Sequence, residues 1–162
     1  MGEDLQLVAE LSVALAAFSA VLFALDDRSS DDPIKVFRIR NLLGLSFATM
    51  FAALIPLGFD LTAIDPDYHW RIASAVLVLT AGGSLGLTLP TYFRLQVPQT
   101  SIASNVMSKT LLPLLMLNFI VQLLHAIGIW GNMPGLFFYG LLLVLLAAVM
   151  QFVTSILAAS GS

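Results

Sequence analysis

The chain contains no cysteine. Disulfides, thiolate metal sites and cysteine nucleophiles are therefore excluded, and nothing follows about redox compartment. Charge is nearly as scarce, since Asp, Glu, Lys and Arg make up 10% of the 162 residues while 59% are hydrophobic. A soluble domain of this length could not cover itself with so little polar surface. From Thr110 to Ser162 there is no Asp, Glu, Lys or Arg at all. The usual catalytic strings are missing too: no HExxH, no GxxxxGK[ST], no dinucleotide fingerprint after a strand, no acidic metal cluster and no Lys in a helix centre. The expectation is a non-enzyme without metal or cofactor. The lack of a basic domain removes nucleic acid as a partner.

What remains is a series of apolar runs, each close to the roughly 20 residues needed to cross a hydrocarbon core about 30 Å thick. They fall at about Leu5 to Leu25, Asn41 to Asp60, Ile72 to Tyr92, Thr110 to Trp130 and Leu136 to Ala158. With their polar starts, the helices are expected at about 5–25, 33–60, 72–92, 102–130 and 136–158. The fold class expected is all-α: one domain over 1–162, an integral membrane bundle of five transmembrane helices. Met1 to Gln6 carries Glu3 and Asp4 and no basic residue, the reverse of a signal peptide, so the first segment is expected to be retained. Gly131, Asn132, Met133, Pro134 and Gly135 break the last two runs into a tight helical hairpin.

Six of the seven basic residues, Arg28, Lys35, Arg38, Arg40, Arg94 and Lys109, lie between helices one and two or three and four. Only Arg71 falls on the other side. The positive-inside bias then predicts the N-terminus outside and the C-terminus cytoplasmic. Asp31 and Asp32 before Pro33 form an N-terminal helix signal, so helix two starts before its apolar run. Its first turns carry Lys35, Arg38 and Arg40, a collar suited to anionic lipid headgroups. Tyr68, Trp70, Trp130 and Tyr139 fall near the opposite boundary, as aromatic belts do.

Small residues recur every fourth position at Ser12, Ala16, Ala20 and Ala24 and at Gly44, Ala48 and Ala52, and Gly82 with Gly86 makes a GxxxG pair. Such stripes let helix backbones approach closely, within one chain or between copies. Pro56 and Pro90 lie inside helices and free the carbonyls of Ala52 and Gly86, as a packed kink or as a hinge.

An ionisable side chain at membrane depth is costly and usually has a partner, so Glu10, Asp60, Arg71 and His125 are the candidate polar cluster. Counted from the outer ends of their runs, Glu10 and His125 come out at equal depth, roughly 7 to 8 Å in. At that depth they could touch, as a packing pair or as part of an ion path, or each could instead snorkel to the interface. Asn118, Gln122 and Gln151 are expected to form interhelical hydrogen bonds. Gly82 to Gly86 matches the GxSxG string of serine hydrolases, but it sits within a long apolar run rather than on a strand-to-helix turn. Ser84 is therefore not expected to be a nucleophile. Asp65, Pro66, Asp67, Tyr68 and His69 are expected as a short acidic turn, solvated or weakly cation-binding.

Several segments carry a resemblance: Glu10-Leu11 with Ala17-Phe18-Ser19, Phe37 to Leu43, Trp70 to Ser74, Tyr139 to Leu143 and Gln151-Phe152-Val153. Together they resemble small polytopic membrane proteins of bacteria that carry no assigned function. The resemblance implies a bacterial inner (plasma) membrane protein and transfers no catalytic or binding residue. The function expected is a non-enzymatic subunit, assembly or sensing component of a membrane complex, partnered by the bilayer and by further copies or other membrane subunits. The alternative is a small oligomeric ion channel or ion-coupled carrier.

Overall fold

The structure, a computed structural model, describes residues 2–25, 33–59, 64–95 and 107–160. Helix α1 (Gly2–Leu25) is followed by α2 (Pro33–Gly58). Next, α3 (Pro66–Leu77) runs through a π-helical turn (Val78–Gly82) into α4 (Gly83–Leu95) without a break. A second π turn (Met107–Leu111) leads into α5 (Leu112–Ala126), and α6 (Pro134–Ser160) closes the chain. No strand occurs among the described residues. Five helical stretches are long and apolar enough to cross a membrane: Gly2–Val21, Val36–Gly58, Asp67–Thr91, Lys109–Ala126 and Pro134–Ile156.

The core is made of small side chains and narrow helix contacts. Helix α2 lies at its centre, packed on α1, α6 and the α3–α4 rod. Ala48, Ala52, Ala53, Ala73, Ala81, Ala147 and Ala148 are all buried. Large apolar side chains point outward instead, among them Phe18 at 64% exposure, Leu79 at 73% and Leu87 at 69%. In water such a surface would carry a large hydrophobic cost.

Several element ends differ from the sequence reading, two of them for a visible local reason. The third helix begins at Pro66 rather than near residue 72. The Asp65 carboxylate accepts from the Asp67 N–H at 3.0 Å and Pro66 takes the first turn, so the expected acidic turn is in fact a capped helix start. Helix α5 stops at Ala126, not at Trp130. Gly128 adopts φ +88°, its N–H donates to His125 O at 2.9 Å, and the Ile129 N–H reaches Leu124 O at 3.1 Å. This is a Schellman end, in which a left-handed glycine reverses the chain. Helix α1 starts by Gly2, before the apolar run does.

The small-residue stripes divide. Gly44 faces Ser84 so closely that a Cβ there would collide with the Ser84 hydroxyl, and Ala48 and Ala52 are buried below it. That stripe packs within the chain. On α1 the buried face runs Ser12, Ala16 and Ser19, while Ala20 is exposed. Steps of four overshoot a 3.6-residue turn, so a strict every-fourth stripe rotates off the contact. Gly82 lies by Phe119, but Gly86 faces open space, so the two glycines do not share one contact. The side chain of Ala24 lies outside the described residues.

Candidate functional site

The polar side chains between helices gather where α3, α5 and α6 meet. Asn118, Gln122 and His125 stand on one face of α5, at spacings of four and three, and all are buried. The Asn118 Nδ2 group donates to Gly140 O at 3.2 Å, and Gln122 Nε2 donates to Leu136 O at 2.8 Å. His125 Nε2 accepts from the Met133 backbone N–H at 3.1 Å. The three contacts step down α5 as they step back through the turn and along α6, all centred on Ile129. They lock the register of the hairpin.

Gly140 makes this approach available. A Cβ there would overlap the Gln122 amide and come within 2.8 Å of Asn118 Oδ1. With only hydrogen in that place, two amide side chains reach the α6 backbone directly. Such bonds matter because a buried polar group without a partner costs about 1–3 kcal/mol.

The third element enters through Ser74 of α3, which is fully buried. Its Oγ lies 2.8 Å from His125 Nδ1 and 2.8 Å from Gln122 Oε1. The Met133 N–H needs a bare Nε2, so the imidazole hydrogen belongs on Nδ1, where it donates to Ser74 Oγ. The Ser74 hydroxyl then donates onward to Gln122. This direction of donation is the reverse of that in a serine nucleophile, whose hydroxyl must give its proton to the imidazole. Ser74 is held as a link, not activated.

Arg71 completes this end of the bundle. Its Nε donates to Ala126 O at 3.4 Å, and its Cζ stands 5.2 Å from the Tyr68 ring centroid. The guanidinium occupies the space beside Gly128, where a Cβ would come within 2.6 Å of it. A cation at the C-terminal end of α5 meets the negative end of the helix dipole and its unpaired carbonyls.

The candidate Glu10–His125 contact does not form. Glu10 is exposed and accepts from Gln6 Nε2 on its own helix at 2.9 Å, while both His125 ring nitrogens are engaged elsewhere. Helix α1 packs chiefly on α2, whereas α5 packs on α3 and α6. The equal-depth estimate fails because α1 starts earlier and α5 stops earlier than their apolar runs, which moves Glu10 deeper and His125 outward. Asp60 lies outside the described residues. Of the collar, Arg38 is half-buried and Arg40 exposed, and the Lys35 side chain lies outside the described residues.

Asn118 and Gln122 make the interhelical bonds expected of them. At Gln151 the hydrogen bonds among the described residues stay within α6, its carbonyl accepting from Thr154 and Ser155 at 2.8 Å each. Ser74, Gly128 and Gly140 were not singled out from sequence. The available signal was the spacing of Asn118, Gln122 and His125, which puts three polar groups on one helical face. A second polar link, from Thr88 Oγ1 to Asn41 Oδ1 at 3.1 Å, joins α4 to α2 at the opposite end. Ser84 is helical, as expected, and packs on Gly44 rather than near His125. No group of three His, Asp or Glu residues suited to a metal ion occurs among the described residues.

No family model matches the chain, nor does any curated protein or any solved structure.

Proposed function

We propose that the chain is a multi-pass protein of the bacterial inner membrane, with its N-terminus outside, acting as a non-enzymatic subunit, assembly or sensing component of a membrane complex. The observation that carries this reading is the closed Ser74–His125–Gln122–Asn118 network, whose four side chains are consumed in holding α3, α5 and α6 together. A substrate site or aqueous path would instead present polar atoms to an open space. The Asn41–Thr88 link and the Ser74 network lie toward opposite ends of the bundle, with a mostly apolar layer between them in which Leu45, Ala48, Leu77 and Ala81 are buried beside the hydroxyls of Ser46 and Thr49. That apolar middle argues against a conducting path through a single copy.

Orientation rests on charge. Arg38, Arg40, Arg94 and Lys109 belong to the end formed by the start of α2 and the end of α4, and Glu3, Asp65 and Asp67 to the other. The basic end faces the cytoplasm, where anionic lipid headgroups pair with it. Single cysteines placed at Asp67 and at Ser30 test this in intact cells: a membrane-impermeant maleimide should label the first alone. Labelling of Ser30→Cys alone would invert the topology.

A small oligomeric channel or ion-coupled carrier is the second reading, favoured by one observation, the outward-facing Glu10 described below. Purified protein in liposomes should show no proton or cation flux above that of empty vesicles. Flux that disappears on Glu10→Gln would replace the first reading with the second.

A further inference from the structure

Glu10 is deeper than its place in the sequence suggests. Gly2 of α1 stands beside Leu57 of α2, a Cβ at Gly2 lying 3.9 Å from the Leu57 side chain. The two helices are antiparallel neighbours, so Glu10, about 12 Å along α1 from Gly2, is level with about Thr49. The α2 span runs from Val36 to Gly58, which puts that level within about 3 Å of its middle. The Gly44–Ser84 contact carries the level across to about Leu79, roughly 7 Å deeper than Ser74. Among the described residues, Glu10 is the ionisable side chain on the outward surface at mid-span, and its hydrogen-bond partner there is Gln6.

The surface around it has the pattern of a helix contact. Glu3, Leu7, Glu10, Ala14, Ala17 and Val21 are all exposed and alternate in steps of four and three. A 3.5-residue repeat keeps one seam facing a partner helix along its whole length. Next below the carboxylate the seam carries Ala14 and Ala17, ahead of Val21, and these two small side chains let a second backbone come close.

We propose that this face of α1 docks a transmembrane helix of another protein that presents a Lys or Arg side chain at the depth of Glu10. The inference rests on the reading of the chain as a subunit of a membrane complex, and it names the subunit contact. Charge complementarity selects the occupant, because a carboxylate at mid-membrane is stabilised by an opposite charge. Among the described residues, a second copy does not supply one. It would bring Glu10 against Glu10, since Arg38, Arg40, Arg94 and Lys109 belong to the far end of the bundle and Arg71 is engaged at the α5 terminus.

The test uses the full-length chain, donor-labelled, in phosphatidylcholine liposomes. The probe is a synthetic Leu/Ala transmembrane peptide with one central Lys, acceptor-labelled, and a peptide with Leu in that place is the control. Energy transfer should report binding of the Lys peptide at least about tenfold tighter than the control, with the preference abolished by Glu10→Gln. Ala14→Leu with Ala17→Leu should weaken binding about tenfold while leaving the charge in place, since bulk on the seam prevents close approach. Equal binding of the two peptides, or a Lys preference that survives Glu10→Gln, overturns the proposal. Glu10-dependent self-association of the chain also overturns it, by placing a second copy on this face. A Lys preference in vesicles that also show Glu10-dependent flux would keep the docking site and sink the non-transport role.

Discussion

Two contacts in this bundle are held by different physics. Between α1 and α2 the hydroxyls are turned inward onto their own helices: Ser12 donates to Val8 O at 2.7 Å and Thr49 to Leu45 O at 2.8 Å. Nothing polar needs to cross, and Leu5, Val8 and Ala9 join Leu42, Leu45 and Ala53 in one buried apolar cluster. At the α3, α5 and α6 junction the longer side chains of Asn118, Gln122 and His125 reach across to backbone groups and to Ser74. A contact of shape tolerates sliding, because neighbouring registers offer similar apolar surface. A contact of directed hydrogen bonds does not, because a one-residue slip would leave several buried groups unpaired.

The sharpest way to break the comparison is at Gly140. Gly140→Ala should lower unfolding stability in detergent micelles by about 3 kcal/mol, because the added methyl expels both amides from the α6 backbone. A loss under about 0.5 kcal/mol would mean that the amides contribute nothing to the junction.

Next in size, His125→Ala and Ser74→Ala should each cost about 1–2 kcal/mol by the same measurement, while the double change should cost about 1 kcal/mol less than the two together. Additive losses would show that the Ser74–His125 bond is not coupled in the folded protein.

The smallest effects belong to hydroxyls that serve no cross-helix bond. Ser12→Ala should change stability by less than about 0.5 kcal/mol, since its hydrogen bond returns to its own helix. Ser46 is fully buried, and its Oγ has no hydrogen-bond partner among the described residues. Ser46→Ala should therefore stabilise by up to about 1 kcal/mol. A clear destabilisation at Ser46 would show that the hydroxyl finds a partner in the folded protein.

Much of the fold was legible because length and hydrophobicity are properties of a single run of residues. An apolar stretch of about 20 residues bounded by Gly, Pro or charge reports a helix without reference to its neighbours. The hairpin between α5 and α6 was visible in the same way, although the reversal starts earlier than the Gly131 to Gly135 cluster, at Gly128, and uses both Gly128 and Gly131 with positive φ. Asn118 and Gln122 were recognisable as interhelical groups because a buried amide in an apolar helix must find a partner.

The partners themselves were not legible. Whether two groups on different helices meet depends on depth and on facing. Depth depends on where each helix begins and ends, and the four-residue difference at the end of α5 alone is worth about 6 Å. Facing turns by about 100° per residue, so a small change in either carries a side chain out of reach. Glu10 and His125 failed on both, and Ser74 entered because α3 presents it to the polar face of α5.

The sequence by itself determined five apolar helices, the hairpin and an uneven distribution of charge, because each is set by local composition and spacing. Only the tertiary structure decided that His125 is bonded through both nitrogens, that Gly140 opens the α6 backbone to two amides, and that Glu10 is exposed at a level near the middle of α2. Those outcomes depend on caps and close contacts that set helix register to within a residue, and register is a property of pairs of helices rather than of any one of them.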